Sequence, residues 1–336
     1  MDPLVLVSIR NLVKRFDITG GWLDQFRFSG GKISKERTVV RAVNGVSIDV
    51  AQGETVSVVG ESGCGKSTLA RTVMGLYPAE EGEVYYKNTR IDNLSEAQRQ
   101  PFRARMQMVF QDPYASLNPR MTLGEILREP IRFHQPKLDK GAVAEKVALV
   151  MEQVGIDPDW HTRYPHELSG GQRQRISIAR ALTVEPEFIV ADEPIAALDV
   201  SIQAQILNLM MDLQEQNNLT YLFISHDLSV VEHISKRVAV MYLGSMCELA
   251  QAEELFQRPR HPYTQALLSA IPKLGKAASH EKLTGDVPSP INLPPGCVFH
   301  TRCRHANDRC RLEIPQLLTV EGGTQVACHG VEEGRL

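Results

Sequence analysis

Residues 60–67 read GESGCGKS and match the phosphate-cradling pattern G-x-x-x-x-G-K-[ST]. Gly63 and Gly65 free the backbone to turn its N–H groups inward, and a helix starting there adds its positive end. Lys66 has the reach and charge for β- and γ-phosphates, and Ser67 offers a hydroxyl to Mg²⁺. A carboxylate pair, Asp192-Glu193, follows the apolar run Phe188, Ile189, Val190, Ala191. The C-terminal end of a buried strand is where an open α/β sheet sets a metal ligand for its nucleotide. Leu168, Ser169, Gly170, Gly171 and Gln172 open a helix whose start suits an anion. Two consecutive glycines exceed what a cap needs, because they weaken the helix. Gln111 and His226 each stand just past an apolar run. Cys297, Cys303, Cys310 and Cys328 cluster near the C-terminus, separated by five, six and seventeen residues.

These groups need a scaffold. Residues 54–59 are apolar and β-branched and predict a buried strand into the phosphate loop. Leu69, Val73 and Leu76 predict a helix over 66–76 behind it. Further strands are expected at 4–10, 43–50, 83–86, 106–110, 188–191, 220–225 and 238–243. Ser95 with Gln98 marks a helix start. A helical pattern over 123–155 is expected to break at Pro130 and Pro136, and others run to about 182 and over 201–213. The helix to 182 sets Arg173, Arg175 and Arg180 on its surface, against an apolar stripe of Ile176, Ala179 and Leu182. Strands alternating with helices predict a mostly parallel sheet. Residues 20–38, rich in Gly and charge, read as a long loop or insertion. Beyond residue 250, prolines punctuate a loop-rich appendage too poor in apolar content to fold well unaided.

A chain of 336 residues, 43% hydrophobic, forms one large or two modest domains with a packed core. No apolar run approaches the ~18 residues that span a bilayer, and residues 1–10 do not form a secretory signal. A cytosolic or peripheral protein is expected. A net charge of -3 argues against broad nucleic-acid binding, which needs a basic footprint. In a reducing compartment clustered cysteines suggest metal before disulfide. Zinc usually takes two short C-x₂₋₄-C pairs, and none is present. An iron–sulfur cluster takes four cysteines at looser spacing. Arg302, Arg304, Arg309 and Arg311 would offset its charge, while His300, His305 and His329 read as flanking residues. Cys64, at a helix N-terminus that can lower a thiol pKa, is expected to be reactive and protected by MgATP.

GESGCGKS, Gln111, LSGGQ, FIVADE and His226, in that order, resemble the ATP-binding-cassette (ABC) ATPases over essentially the whole chain. His261-Pro262-Tyr263-Thr264, then Pro295-Gly296-Cys297 and the cysteine cluster, resemble the ATPase subunits of bacterial dipeptide and oligopeptide importers, the second of the two subunits most closely. The resemblance implies an α/β fold: a P-loop (RecA-like) core with an antiparallel β subdomain and an inserted helical subdomain at about 113–182. The nucleotide-binding domain would be 1–250, and 251–336 a small C-terminal region holding the four cysteines.

It also implies roles. Phe16 would stack on adenine. Gly60, Glu61, Ser62, Gly63, Cys64, Gly65, Lys66, Ser67 and Thr68 would hold ATP. Ser67, Gln111 and Asp192 would serve Mg²⁺, Gln111 reaching either the metal or the attacking water, Glu193 would be the general base, and His226 would contact the γ-phosphate. Ser169, Gly170, Gly171 and Gln172, with Asp199, would act at the nucleotide interface with a partner subunit. Ala196 departs from the family's usual Ser, whose hydroxyl helps link the two sites. The four cysteines would hold a [4Fe–4S] cluster, zinc being the alternative. Expected partners are a paralogous ATPase in a heterodimer, two membrane permeases and an extracytoplasmic binding protein, with no nucleic acid. The implied location is peripheral, on the cytoplasmic face of the bacterial inner membrane. Peptides are the expected cargo, with oligosaccharides, opines and nickel chelates as alternatives. A chromosome- or repair-type ATPase would carry long coiled coils, yet only about a hundred residues without heptads separate Lys66 from Ser169.

Overall fold

The structure, a computed structural model, describes residues 4–19, 26–29, 32–35, 37–270 and 285–336. The chain divides into two compact units and passes between them repeatedly. The first comprises Met1–Val7, Val50–Ser57 and Tyr86–Ser225; the second comprises Ser8–Asp49, Val58–Tyr85 and His226–Leu336.

In the first unit the strand Phe188–Asp192 lies between Met106–Val109 and Thr220–Ile224, parallel to both. All five of its residues are buried, as an apolar run inside a parallel sheet should be. The helices Leu123–His134, Lys140–Gln153 and Gly170–Leu182 pack on one another. Pro130 was expected to end the first of them, yet the helix runs through it. Thr122 and Glu125 close its N-terminus reciprocally, and Leu123, Ile126, Leu127 and Ile131 bury one face. Those contacts outweigh the hydrogen bond that proline removes. The helix Glu96–Arg105 starts as expected, the Ser95 N–H donating to Gln98 Oε1 at 3.1 Å.

The second unit departs from the parallel expectation. Strands Arg237–Tyr242 and Ser245–Gln251 are antiparallel, and Gln325–Val326 adds to the latter, also antiparallel. Leu243 and Gly244, at φ 44° and 78°, make the tight reversal that only an antiparallel pair allows. Within residues 20–38, where a loop was expected, Phe26–Ser29 pairs with Lys32–Lys35 as a hairpin; residues 20–25, 30–31 and 36 lie outside the described residues. The core of this unit gathers Val59, Val231, Val240, Tyr242, Leu255, Tyr263 and Phe299. Residues past 250 therefore contribute core rather than only surface loops: Tyr263 is 0% and Phe299 1% exposed.

Candidate nucleotide-binding site

The phosphate loop leads from the strand Thr55–Val59 into the helix Lys66–Val73 and belongs to the second unit. Its glycines are required. A Cβ on Gly65 would lie 2.0 Å from the Ala42 carbonyl oxygen, and one on Gly60 would lie 2.2 Å from that of Met241. The loop is thus seated directly on two backbone segments, and the Gly244 N–H reinforces this by donating to the Cys64 carbonyl at 2.8 Å. Lys66 is buried, and its ammonium donates to the carbonyls of Gly60 and Glu61 at 2.8 and 3.1 Å. These are weaker partners than phosphate oxygens, so the lysine is poised to exchange them for an anion.

The expectation of a reactive Cys64 fails here. The residue is 4% exposed, and burial raises its thiol pKa despite the nearby Lys66 charge, which pulls the other way. Its sulfur fills space under Gly60, where even a Cβ would come within 2.7 Å of it. Phe16 is the penultimate residue of the strand Val5–Asp17, half-buried, edge-on to Tyr77 at 5.2 Å with the Lys14 ammonium 5.1 Å from its ring centre. His226 opens the last stretch of this unit, just beyond Ser225.

Sequence reasoning missed the supports behind the loop. The Glu61 N–H donates to the Tyr263 hydroxyl at 2.9 Å. Arg302 donates to both Glu61 carboxylate oxygens, at 2.8 and 3.2 Å. Their only signal was HPYT at 261–264 and an arginine among the cysteines.

In the first unit the carboxylate pair closes the strand Phe188–Asp192. Asp192 is 1% exposed. Glu193 adopts φ 47°, a left-handed conformation uncommon for such a residue, and its N–H donates to the Ile224 carbonyl at 3.0 Å. This turn swings its side chain out of the strand's alternation. The Gln111 amide donates to the Glu193 carboxylate at 3.0 Å, so two residues 82 apart in sequence meet as one polar pair.

Ser169 caps the helix Gly170–Leu182, accepting the Gln172 N–H at 3.3 Å, and the Ser169 N–H donates to Gln172 Oε1 at 3.0 Å. The glycines there serve packing as well as approach: a Cβ on Gly171 would lie 2.5 Å from Ile202 Cγ2. Asp199 stands at the N-cap of the helix Val200–Asn217. The arginines expected on the helix surface are instead braces. Arg173 is 9% exposed with its guanidinium 3.8 Å from the Tyr114 ring centre. Arg175 donates to the Val154 carbonyl at 2.7 Å, and Arg180 to that of Ser116 at 2.5 Å.

Three of the four tail cysteines, Cys297, Cys303 and Cys328, have raised thiol pKa values, each first through burial and then through neighbouring thiols. Burial pushes Cys297 up to about 12, and Cys328, Cys310 and Cys303 push the same way. The metal-site expectation is not met in ligand geometry: among the described residues no group of three or more His, Cys, Asp or Glu side chains is arranged to hold a metal ion.

Comparison with known proteins decides the family. Residues 43–196 match the ABC transporter family, and residues 247–310 match the oligopeptide/dipeptide transporter C-terminal region. The oligopeptide transport ATP-binding protein AppF of Bacillus subtilis (strain 168) is 54% identical over 329 residues, covering 96% of this chain and 97% of its own. The chain belongs to the ABC transporter ATP-binding proteins of the oligopeptide branch. OppF of Haemophilus influenzae (strain ATCC 51907 / DSM 11121 / KW20 / Rd), an oligopeptide transport ATP-binding protein, is 52% identical, covering 86% of this chain and 88% of its own. The fold agrees. The dimeric post-hydrolysis structure of the ATP-binding cassette MJ0796, bound to ADP and Pi, matches with a TM-score of 0.61 at 27% identity over 74% of this chain and 99% of its own. This ABC protein is accordingly an ATPase, and among its described residues no helix is long and apolar enough to cross a membrane.

Proposed function

We propose that this ABC ATPase subunit hydrolyses MgATP to drive import of di- and oligopeptides, working with two membrane permeases, a binding protein and a paralogous ATPase. The observation that carries the reading is its kinship, over nearly full length, to oligopeptide transport ATP-binding proteins together with an intact set of ATPase residues. Residues 1–250 form the nucleotide-binding domain in this reading, with 113–182 as its helical part, and 251–336 the importer-specific region. The protein sits peripherally on the cytoplasmic face of the inner membrane.

Each residue has its part. Lys66 and the N–H groups of residues 60–68 grip the phosphates, Phe16 meets the adenine, and His226 the γ-phosphate. Ser67, Gln111 and Asp192 hold Mg²⁺; the hard oxygen donors of Ser67 and Asp192 suit it, and the metal neutralises phosphate charge when bound. Glu193 orients and deprotonates the attacking water, its carboxylate steadied by the Gln111 amide. Ser169, Gly170, Gly171 and Gln172, with Asp199, close over the nucleotide of the partner subunit. Ala196 lacks the hydroxyl that would help link the two sites.

The four cysteines hold a [4Fe–4S] cluster in this reading, as a structural element. The donor set, four thiols, is right in kind for such a cluster. The raised thiol pKa values of Cys297, Cys303 and Cys328 mean that a bound cation would have to favour the thiolates, which a metal centre does. Zinc would use the same sulfurs.

The test is the transporter rebuilt in proteoliposomes with its cognate subunits. Peptides should stimulate ATP hydrolysis and be taken up. Glu193→Gln should bind ATP and lose about a hundred- to ten-thousandfold in turnover. Stimulation by a nickel chelate, an opine or an oligosaccharide but not by peptides would overturn the cargo, and normal turnover in Glu193→Gln would overturn the base.

A further inference from the structure

We propose that Tyr263 and Arg302, from the C-terminal region, are positioning residues that set the phosphate loop for nucleotide through Glu61. Besides accepting the Cys64 N–H at 3.2 Å within the loop's own turn, Glu61 has three ties to side chains. Its N–H donates to the Tyr263 hydroxyl at 2.9 Å, its carboxylate takes both terminal nitrogens of Arg302 at 2.8 and 3.2 Å, and its carbonyl accepts the Lys66 ammonium at 3.1 Å. Two ties run outward to the tail, and the third runs inward to the phosphate-binding lysine. Whatever fixes Glu61 therefore fixes both the first turn of the loop and the carbonyl from which Lys66 must move.

The outward anchors are rigid. Tyr263 is fully buried, and its ring lies 4.7 Å from that of Tyr242 and 5.3 Å from that of Phe299. Phe299 is 1% exposed, 5.3 Å from Tyr242, and its carbonyl accepts the Arg302 N–H at 3.0 Å. One aromatic cluster thus carries both the hydroxyl and the turn that presents the guanidinium. The Arg302 side chain is 7% exposed, and it also donates to the Tyr242 hydroxyl at 3.4 Å. A buried ion pair adds little stability over an apolar replacement, so its value here lies in fixed geometry: a bidentate guanidinium holds a carboxylate in one plane. Within the loop Tyr263 engages only the Glu61 N–H and Arg302 only the Glu61 carboxylate, so each acts through Glu61.

The experiment uses the full chain and a fluorescent ATP analogue, with ATPase kinetics in the assembled transporter. Tyr263→Phe removes one hydroxyl and keeps the aromatic cluster; it should raise the nucleotide Kd about three- to tenfold. KM for ATP should rise in step while kcat holds. Arg302→Leu should raise Kd at least as much, with Arg302→Lys in between. Glu61→Gln should match Arg302→Leu, and the double variant should add little, because both break one link. Should Arg302→Leu fail to fold, Tyr263→Phe and Glu61→Gln still decide. Variants with wild-type Kd that lose only thermal stability would make these contacts mere tail glue and overturn the proposal, as would fully additive effects of Glu61→Gln and Arg302→Leu.

Discussion

At the scale of single residues, the phosphate loop makes two glycines that look alike in sequence unlike in space. Gly65 has φ 107° and its missing Cβ would sit 2.0 Å from the Ala42 carbonyl oxygen. Gly63 has φ 78° with nothing within 4 Å of a Cβ. Both positions disfavour an L side chain by about 1–2 kcal/mol through backbone conformation alone. Only at Gly65 must backbone also move, which brings the cost to about 3 kcal/mol or more. Gly65→Ala should therefore lower the melting temperature sharply, with or without MgATP. Gly63→Ala should lower it by less, since only the backbone conformation is penalised, and should lose part of the MgATP-induced stabilisation, since the residue lies in the loop proposed to wrap the phosphates. Thermal unfolding of the two variants with and without MgATP checks this, and equal melting temperatures would contradict the seating of Gly65. Glu193 shows the same logic with the opposite residue type. Its φ of 47° is kept although Gly would adopt it more easily, so the side chain earns the conformation through its carboxylate.

At the scale of elements, His261 sets a pH dependence. It caps the helix Pro262–Ser269, its Nδ1 accepting the Tyr263 N–H at 3.0 Å, which requires an unprotonated nitrogen. The ring is 2% exposed, and burial lowers its pKa to about 4 from an ordinary 6.5, against a smaller upward pull from the Ala327 carbonyl. Between those values the unfolded chain holds a proton that the folded chain does not. Its share of stability is thus fully present above about pH 6.5 and is lost as pH falls toward about 4, to the extent of about 3 kcal/mol. Glu248 accepts the N–H groups of Arg260 and His261, and burial raises its carboxyl pKa, so its contribution has the opposite sign. Denaturant titrations of the parent and His261→Gln should converge in pH dependence above 6.5 and diverge below it, the parent falling more steeply. Parallel curves down to pH 4 would remove His261 as the source. Legibility in the sequence also divides by element. Strand 188–192 and the capped helix at Ser169 announce themselves by local pattern. The strand Ser245–Gln251 does not, because residues 246–250 are all buried, Glu248 included, so no alternation shows. Nor could spacing reveal that Glu61 meets Tyr263 and Arg302, 202 and 241 residues away. The Gln111–Glu193 pair was readable only as two separate strand ends, since which strands are neighbours is a tertiary fact.

At the scale of the whole molecule, the chain ends in the unit that holds its phosphate loop. Residues 226–336 share that unit with residues 58–85, and Val326 pairs with Glu248 in the sheet. A tail with so few apolar residues needs more than burial to stay folded. It has Phe299 in the core, and an arginine network in which Arg309 pairs with Glu313, Glu332 and Glu333 at 2.9, 3.2 and 3.0 Å. Those pairs are partly exposed and each contributes little. The four cysteines supply the missing element if they bind the proposed cluster, because metal binding free energy becomes folding free energy. Only Cys303 sits beside Arg302, the residue that grips the loop, so it is the informative one to change. Anaerobically purified full-length protein should contain iron and acid-labile sulfide, and Cys303→Ser should lose both and unfold locally, with faster amide hydrogen exchange across residues 297–330. Cys64→Ser, whose thiol is buried in the phosphate loop, should keep the full iron content. Colourless anaerobic protein with stoichiometric zinc would retain the four ligands and replace the cluster, whereas metal-free protein with unchanged exchange in Cys303→Ser would leave the tail held by its core residues, strand pairing and ion pairs without a metal.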